Sequence, residues 1–407
     1  MNNVFIGLNQ MGKEKPAILG GEPVFKKKLG IIRPVFDRYA DRLGKSIQDV
    51  LVSNMVSGVN NYSTRLEEEL TKVLEVPQVV SMSSCTAGMI LAIQALGLRN
   101  SEIILPSFTF SATAHMLYWN NCKPVFADVD ADTFNIDIET VRDLITTRTK
   151  AILGVHLYGN PVDIAELKAI CDEKGIKLLF DGAHALGSRY QGKPVGGLGD
   201  ASAFSASPTK LLSTIEGGFV STCDLELAEK LRVLRNYGNY PDYSCDLPGF
   251  NARLSEIYAV VGLVQLQDLQ TFVNNRNNYV QALKQELKKI PGLSFQLVKR
   301  GNVSTYKDFC IIVDPLRFGI TRDELALALE KEGIQTKFYF YPPVHQLQAY
   351  KGLAKDDDLP NTIHLSKNVL SLPIYNFMDS SEIEGIISAI KIAHQYAPEI
   401  KEMIKTR

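Results

Sequence analysis

The 407-residue sequence is short of several things, and each shortage excludes a class of function. Lys plus Arg number 44 against 45 Asp plus Glu, a net charge of −1, so no field of one sign points to nucleic acid or a membrane surface. The run Lys26-Lys27-Lys28 is short and reads as a solvated patch. Six cysteines (Cys85, Cys122, Cys171, Cys223, Cys245, Cys310) form no C-x-x-C pair, which argues against a disulfide framework or a zinc site and for reduced thiols. No apolar run is long enough to span a bilayer. Residues 1–15 lack the apolar stretch of a secretory signal. A cytoplasmic protein without a metal site is expected. There is no Walker loop, and no G-x-G-x-x-G follows a strand, so neither ATP nor a dinucleotide is expected.

What is present suits an enzyme. Apolar residues make up 45% and charged residues 22%, ordinary for a globular fold, and the length calls for two lobes. Residues 1–35 carry the breakers Pro16, Gly20-Gly21, Pro23 and Pro34 and predict a surface arm. Helical spacing follows over 35–56, stopping at Gly58, and over 64–74, with Leu66, Leu70, Val73 and Leu74 on one face. From Val79 onward short apolar runs alternate with helical patterns. Strands are predicted at 79–82, 102–105, 124–127, 151–155, 177–180, 201–205 and 218–221, with helices at 87–98, 112–119, 138–144 and 164–174. This alternation predicts an α/β fold: a mostly parallel sheet covered on both faces, with ligands at the carboxyl ends of the strands.

Those strand ends hold the informative residues. Ser83-Ser84-Cys85-Thr86-Ala87-Gly88 opens a helix; its free N–H groups and the Thr86 hydroxyl suit an anion, although a plain N-cap by Ser84 or Thr86 explains it equally. Phe110 lies against a flat ring or packs in the core. Asp181 follows three apolar residues, and a buried carboxylate needs a cation: a metal, or a protonated heterocycle, unless it merely caps the next segment. His184 stands three residues on. The stretch from Phe204 to Lys210 presents one lysine on a small polar loop ahead of Gly217-Gly218. Such an amine either attacks a carbonyl from a fixed direction or is an ordinary loop lysine. Pyridoxal phosphate uses all four features at once: an anion cradle, an aromatic plate, a carboxylate and a lysine.

In order and spacing these stretches, with 124–137, 155–163, 234–238, 249–266, 341–350 and 371–375, resemble the DegT/DnrJ/StrS family of sugar aminotransferases from about Val35 onward. The resemblance implies a fold-type-I transferase dependent on pyridoxal 5'-phosphate. Its mostly parallel seven-stranded sheet lies between helices, with a smaller C-terminal α/β domain; residues 1–265 hold the arm and large domain, and 266–407 the small one. By the same resemblance Lys210 holds the cofactor as a Schiff base, Asp181 pairs with its ring nitrogen and Phe110 stacks on the ring. Thr86, the backbone of Cys85 and Ala87, and Ser205 hold the phosphate, which Asn251 completes from the neighbouring subunit of a homodimer. His184, where the family usually has Gln, bonds the phenolic oxygen, and His345 contacts the substrate. Cys85 stands in place of a family Gly, and Ser207-Pro208-Thr209 in place of a His-containing segment.

The implied activity moves an amino group from glutamate or glutamine to a nucleotide-linked keto-deoxyhexose. A keto-cyclitol acceptor is the alternative, because residues 17–24 are similar to a stretch of cyclitol-type members; a non-catalytic sensor is another. Dehydratase relatives replace the lysine by histidine, so Lys210 argues against that activity. A helix expected at 254–269 leads into the second lobe, where strands are expected at 308–313 and 335–339, a capping box at Thr321 and Glu324, and a helix at 381–393.

Overall fold

The structure is a computed structural model that describes residues 15–57 and 60–406; most of the predicted arm (residues 1–14) and the expected helix stop Gly58 lie outside the described residues. Helices α1 (Ala40–Ser53) and α2 (Asn61–Leu74) come first. Then follow β1 (Gln78–Met82), α3 (Cys85–Ala95), β2 (Glu102–Pro106), α4 (Ala112–Tyr118), β3 (Lys123–Ala127) and α5 (Ile138–Leu144). The chain continues through β4 (Thr149–Val155), α6 (Ile164–Lys174), β5 (Lys177–Asp181), the short pair β6 (Arg189–Tyr190) and β7 (Lys193–Pro194), β8 (Ala201–Ser205) and β9 (Gly218–Thr222).

Seven of these strands form one sheet in the order β1-β9-β8-β5-β4-β2-β3. Only β9 runs antiparallel to its neighbours. Successive residues of each strand feed opposite cores, as a two-residue period demands. Val79, Ile104, Phe180 and Phe219 pack on one face with Leu66. Val80, Ile103, Leu179 and Val220 pack on the other with Leu91. Burial on both faces is why these strands read as continuous apolar runs.

After the sheet come α7 (Leu225–Leu234), α8 (Glu256–Leu266) and α9 (Leu269–Leu287). The helix expected over 254–269 is α8, which ends at Leu266 in a turn where Asp268 N donates to Gln265 O at 3.0 Å; α9 follows as a separate helix that was not expected. The start of α9 (Leu269, Phe272, Val273) packs into the first core. Its end (Val280, Leu283, Leu287) packs into a separate C-terminal core.

That second core is built on β10 (Leu293–Phe295), β11 (Phe309–Val313), α10 (Pro315–Phe318), α11 (Arg322–Lys331), β12 (Val369–Leu372), α13 (Ser380–Gln395) and α14 (Ala397–Lys405), while α12 (Pro360–Asn368), just before β12, sends Leu365 to a smaller cluster with Phe108 and Tyr158. Its sheet order is β10-β11-β12. The capping box forms at α11, with Thr321 Oγ1 accepting from Glu324 N. The described arm belongs to this lobe: Ile18 and Leu29 join its core, and the Glu332 carboxylate accepts from Ala17 N and Val24 N at 2.7 and 3.0 Å.

Two local expectations fail. The helix predicted from residue 35 begins with a 3₁₀ turn, Phe36–Tyr39, and ends at Asn54, which takes a left-handed φ of 58°. No strand forms over 335–339. Gln335 N bonds Leu29 O, while Lys337 pairs with Ser371, so the segment changes partner within two residues and no ladder propagates. A turn, Tyr341 N to Phe338 O at 2.8 Å, then sends the chain back. The partner of β11 is β12 instead.

Candidate active site

Parallel pairing brings the carboxyl ends of β8, β5, β4 and β2 to one rim, and the antiparallel β9 delivers its first residue there, beside the start of α3. Asp181 is the last residue of β5 and is buried. Its Oδ1 accepts from Ala183 N at 3.0 Å and its Oδ2 from the Thr113 hydroxyl at 2.8 Å. Burial still lifts its pKa, because those two donors and Lys210 only partly offset the lost hydration.

Lys210 sits on the loop between β8 and β9, turned back by its N–H on Ser207 O at 3.0 Å. Among the described residues its ammonium has no hydrogen bond or ion pair. Burial, then the nearby Lys307 charge, bring its pKa down from 10.5 to about 8, against the opposing pull of Asp308, Cys85 and Asp181. Lys210 and Asp181 thus lie close enough for each charge to act on the other.

Beside them α3 begins at Cys85. Ser84 Oγ accepts from Ala87 N at 3.0 Å, so the Ala87 N–H named as a phosphate donor is already used in capping the helix. The N–H groups of Cys85 and Thr86 and the Thr86 hydroxyl carry no hydrogen bond among the described residues. Gly218 passes so close that a Cβ there would lie 2.2 Å from Cys85 N; only glycine permits that approach. Ser205 ends β8 at the same rim.

Phe110 is 57% exposed although large and apolar, with its ring 5.9 Å from that of Phe340. Phe340 comes from the second lobe and stacks on both Tyr158 and His184, at 6.3 and 6.5 Å. His184 Nδ1 accepts from Tyr158 N at 3.2 Å. Burial, with Lys210 and Lys307, holds the His184 pKa well below the ordinary imidazole value.

Two further candidates already have partners within the chain. His345 is buried with both ring nitrogens taken: Nδ1 meets Ser107 Oγ at 2.7 Å and Nε2 meets Asp356 Oδ1 at 2.9 Å. Asn251 is exposed and bridged to Asn236.

Sequence reasoning missed Thr113, Tyr158, Phe340 and the pair Lys307–Asp308. The last is an ion pair at 2.8 Å with side chains only 6% and 4% exposed. No spacing or composition signal marks it. Tyr158 gave one hint, its place before Gly159 at the end of β4.

The set fits pyridoxal phosphate on three counts visible here. A helix start offers unused N–H groups, which suit a phosphate. A buried carboxylate with a raised pKa lacks a cation in contact, which a protonated ring nitrogen supplies. Lys210 offers an amine without a hydrogen bond or ion pair among the described residues, near enough to Asp181 and Cys85 for their charges to act on it. Among the described residues no group of three His, Cys, Asp or Glu is arranged to hold a metal ion.

Residues 39–391 match the DegT/DnrJ/EryC1/StrS aminotransferase family. The dTDP-4-amino-4,6-dideoxy-D-glucose transaminase of Shigella dysenteriae is 36% identical over 80% of this chain and 89% of its own length. The GDP-perosamine synthase of Vibrio cholerae is 31% identical over 85% and 95%. The crystal structure of DesI in the presence of its TDP-sugar product superposes with a TM-score of 0.89 at 33% identity, covering 96% of this chain and 99% of that one.

Proposed function

This chain belongs to the DegT/DnrJ/EryC1/StrS aminotransferase family, and from that premise we propose that it moves an amino group from glutamate or glutamine to a nucleotide-linked keto-deoxyhexose. It is an aminotransferase, with pyridoxal phosphate as its cofactor. The observation that carries the reading is the Lys210 amine: without a hydrogen bond or ion pair among the described residues, with a pKa near 8, and close enough to Asp181 for the two charges to act on each other.

When bound, the cofactor supplies an electron sink for the charge left on a carbon that loses its proton. Asp181 holds positive charge at the ring nitrogen, and that cation relieves the burial cost of its carboxylate. The N–H groups of Cys85 and Thr86, with the hydroxyls of Thr86 and Ser205, hold the phosphate. Phe110 covers one ring face and excludes water. Lys210 anchors the cofactor; as a free amine, it gives up its proton more readily than an ordinary lysine. Its Nζ would serve as the base that moves a proton to and from the donor's α-carbon.

Both named relatives carry nucleotide-linked sugars in their names or act in making one, and the similar crystal structure holds a TDP-sugar; this supports a nucleotide-sugar acceptor. A homodimer is part of the proposal. The exposed side chains of Leu51, Val52, Met55, Tyr237, Tyr243 and Phe250 support it, as does the exposed Asn251 next to Phe250. A cytoplasmic setting accords with six free cysteines.

The test has two arms. Lys210→Ala is expected to lose the visible band of the bound cofactor and all turnover; a retained band overturns the lysine assignment. The amino form of the cofactor-loaded enzyme is then mixed with keto-sugar nucleotides and keto-cyclitols. Return of the visible band with sugar nucleotides is expected, and a response to cyclitols alone overturns that acceptor.

A further inference from the structure

Between the two lobes, one tyrosine makes three contacts that the amino-transfer reading leaves unused. Tyr158 is buried, and its backbone is left-handed, with φ 58°. That conformation is rare for a large side chain, and here it aims the N–H at His184 Nδ1, 3.2 Å away. The Tyr158 ring lies nearly parallel to the imidazole, 15° between planes and 6.4 Å between centres. Its hydroxyl donates to the carbonyl of Tyr339 in the second lobe.

The surroundings hold this backbone in place. Lys307 N donates to Tyr158 O at 2.8 Å. The Thr305 hydroxyl donates to His184 O at 2.6 Å. Gly159, also left-handed at φ 94°, leaves no room for a side chain, since a Cβ would stand 1.9 Å from Thr305 Oγ1. Residues 158–159, 184 and 305–307 therefore form one interlocked knot joining β4, the loop after β5 and the second lobe.

A nitrogen that accepts an N–H bond cannot carry the proton of a neutral imidazole. With Nδ1 accepting, the proton sits on Nε2, on the ring edge away from Tyr158 N, and Nε2 has no partner among the described residues. We propose that Tyr158 is a positioning residue: it fixes His184 as a neutral imidazole with its one N–H free for the cofactor, and it ties that imidazole to the second-lobe segment 339–340. The imidazole then donates without changing tautomer, as the amide of a glutamine does. The charged groups acting on it are Lys210 from the β8–β9 loop and Lys307 from the second lobe, and both oppose protonation.

The inference rests on the cofactor reading, but its first readout does not need the cofactor. Protein labelled with ¹⁵N-histidine is examined by NMR in cofactor-free and cofactor-loaded forms between about pH 6 and 9, a range spanning the ordinary imidazole value. His184 is expected as the Nε2–H tautomer throughout; an Nδ1–H tautomer, or titration near the ordinary value, overturns the proposal. Tyr158→Ala removes the ring and hydroxyl that hold the left-handed backbone, and is expected to mix the tautomers and slow turnover about tenfold. In a His184→Gln background the same change is expected to cost less than about twofold, because an amide has no tautomer to lose. Equal losses in both backgrounds also overturn it. Should Tyr158→Ala not fold, Tyr158→Phe, which removes only the hydroxyl, is expected to keep the tautomer while raising KM for the acceptor; an unchanged KM removes the link to the second lobe. A missing cofactor band counts against the cofactor reading alone and leaves the tautomer result standing.

Discussion

The Thr113 hydroxyl donates to Asp181 Oδ2 at 2.8 Å, and Thr109 Oγ1 meets the same hydroxyl at 3.0 Å. The carboxylate proposed to meet the cofactor's ring nitrogen is thus held by a short chain of hydroxyls that begins at Thr109, next to Phe110 in the chain.

Thr113→Val keeps the shape and removes the donor. A hydrogen bond to a charged group contributes about 1.5–3 kcal/mol, so cofactor affinity is expected to fall about tenfold or more. Thr113→Ser is expected to recover most of it. Absorbance titration of cofactor-free protein measures both, and an unchanged Kd for Thr113→Val rejects the role.

Lys210 gives a pH prediction whose sign follows from its shift. The folded pKa, about 8, lies below the unfolded 10.5, so the fold disfavours the charged form. The unfolded chain binds the extra proton between those values, and stability rises with pH across that window. In the cofactor-free protein, Lys210→Met is expected to raise Tm by a few degrees near pH 7. The gain is expected to fade as pH climbs toward the unfolded value. A gain independent of pH would falsify the assignment of the shift.

Lys307 and Asp308 are both under 10% exposed and bonded to each other. Lys307→Met strands a buried carboxylate and is expected to cost about 3–5 kcal/mol of stability. The double change Lys307→Met with Asp308→Leu is expected to recover most of that. Denaturant unfolding reads both, and Lys307→Met alone is also expected to raise the Lys210 pKa, followed by the pH dependence of its labelling. Equal stability of the single and double variants argues against a coupled pair.

Much of the large lobe was legible because a sheet buried on both faces writes itself as short apolar runs. Gln78–Met82, Lys177–Asp181 and Gly218–Thr222 are such runs, and all fall within a residue of the expected ends. The second lobe was less legible because its pairings are not local. Whether residues 335–339 make a ladder depends on Leu29 and Ser371, far away in sequence. The 19-residue helix α9 was missed because it serves two cores in turn, so no single apolar face runs its length.

By itself the chain determined which residue types stand at the strand ends: Lys210, Asp181, Phe110 and the small residues around Thr86. Spacing along the backbone is enough for that, since a strand followed by a turn must present its last side chains at the rim. Only the tertiary structure decided which of their polar atoms are spoken for. Ala87 N–H is spent on Ser84, the His345 ring on Ser107 and Asp356, and His184 Nδ1 on Tyr158, while the Lys210 amine is left open. The Ser84 cap, three residues from Ala87, was open to the sequence; the other partners, 11 to 238 positions apart, are chosen by proximity in space and leave no mark of it in their order.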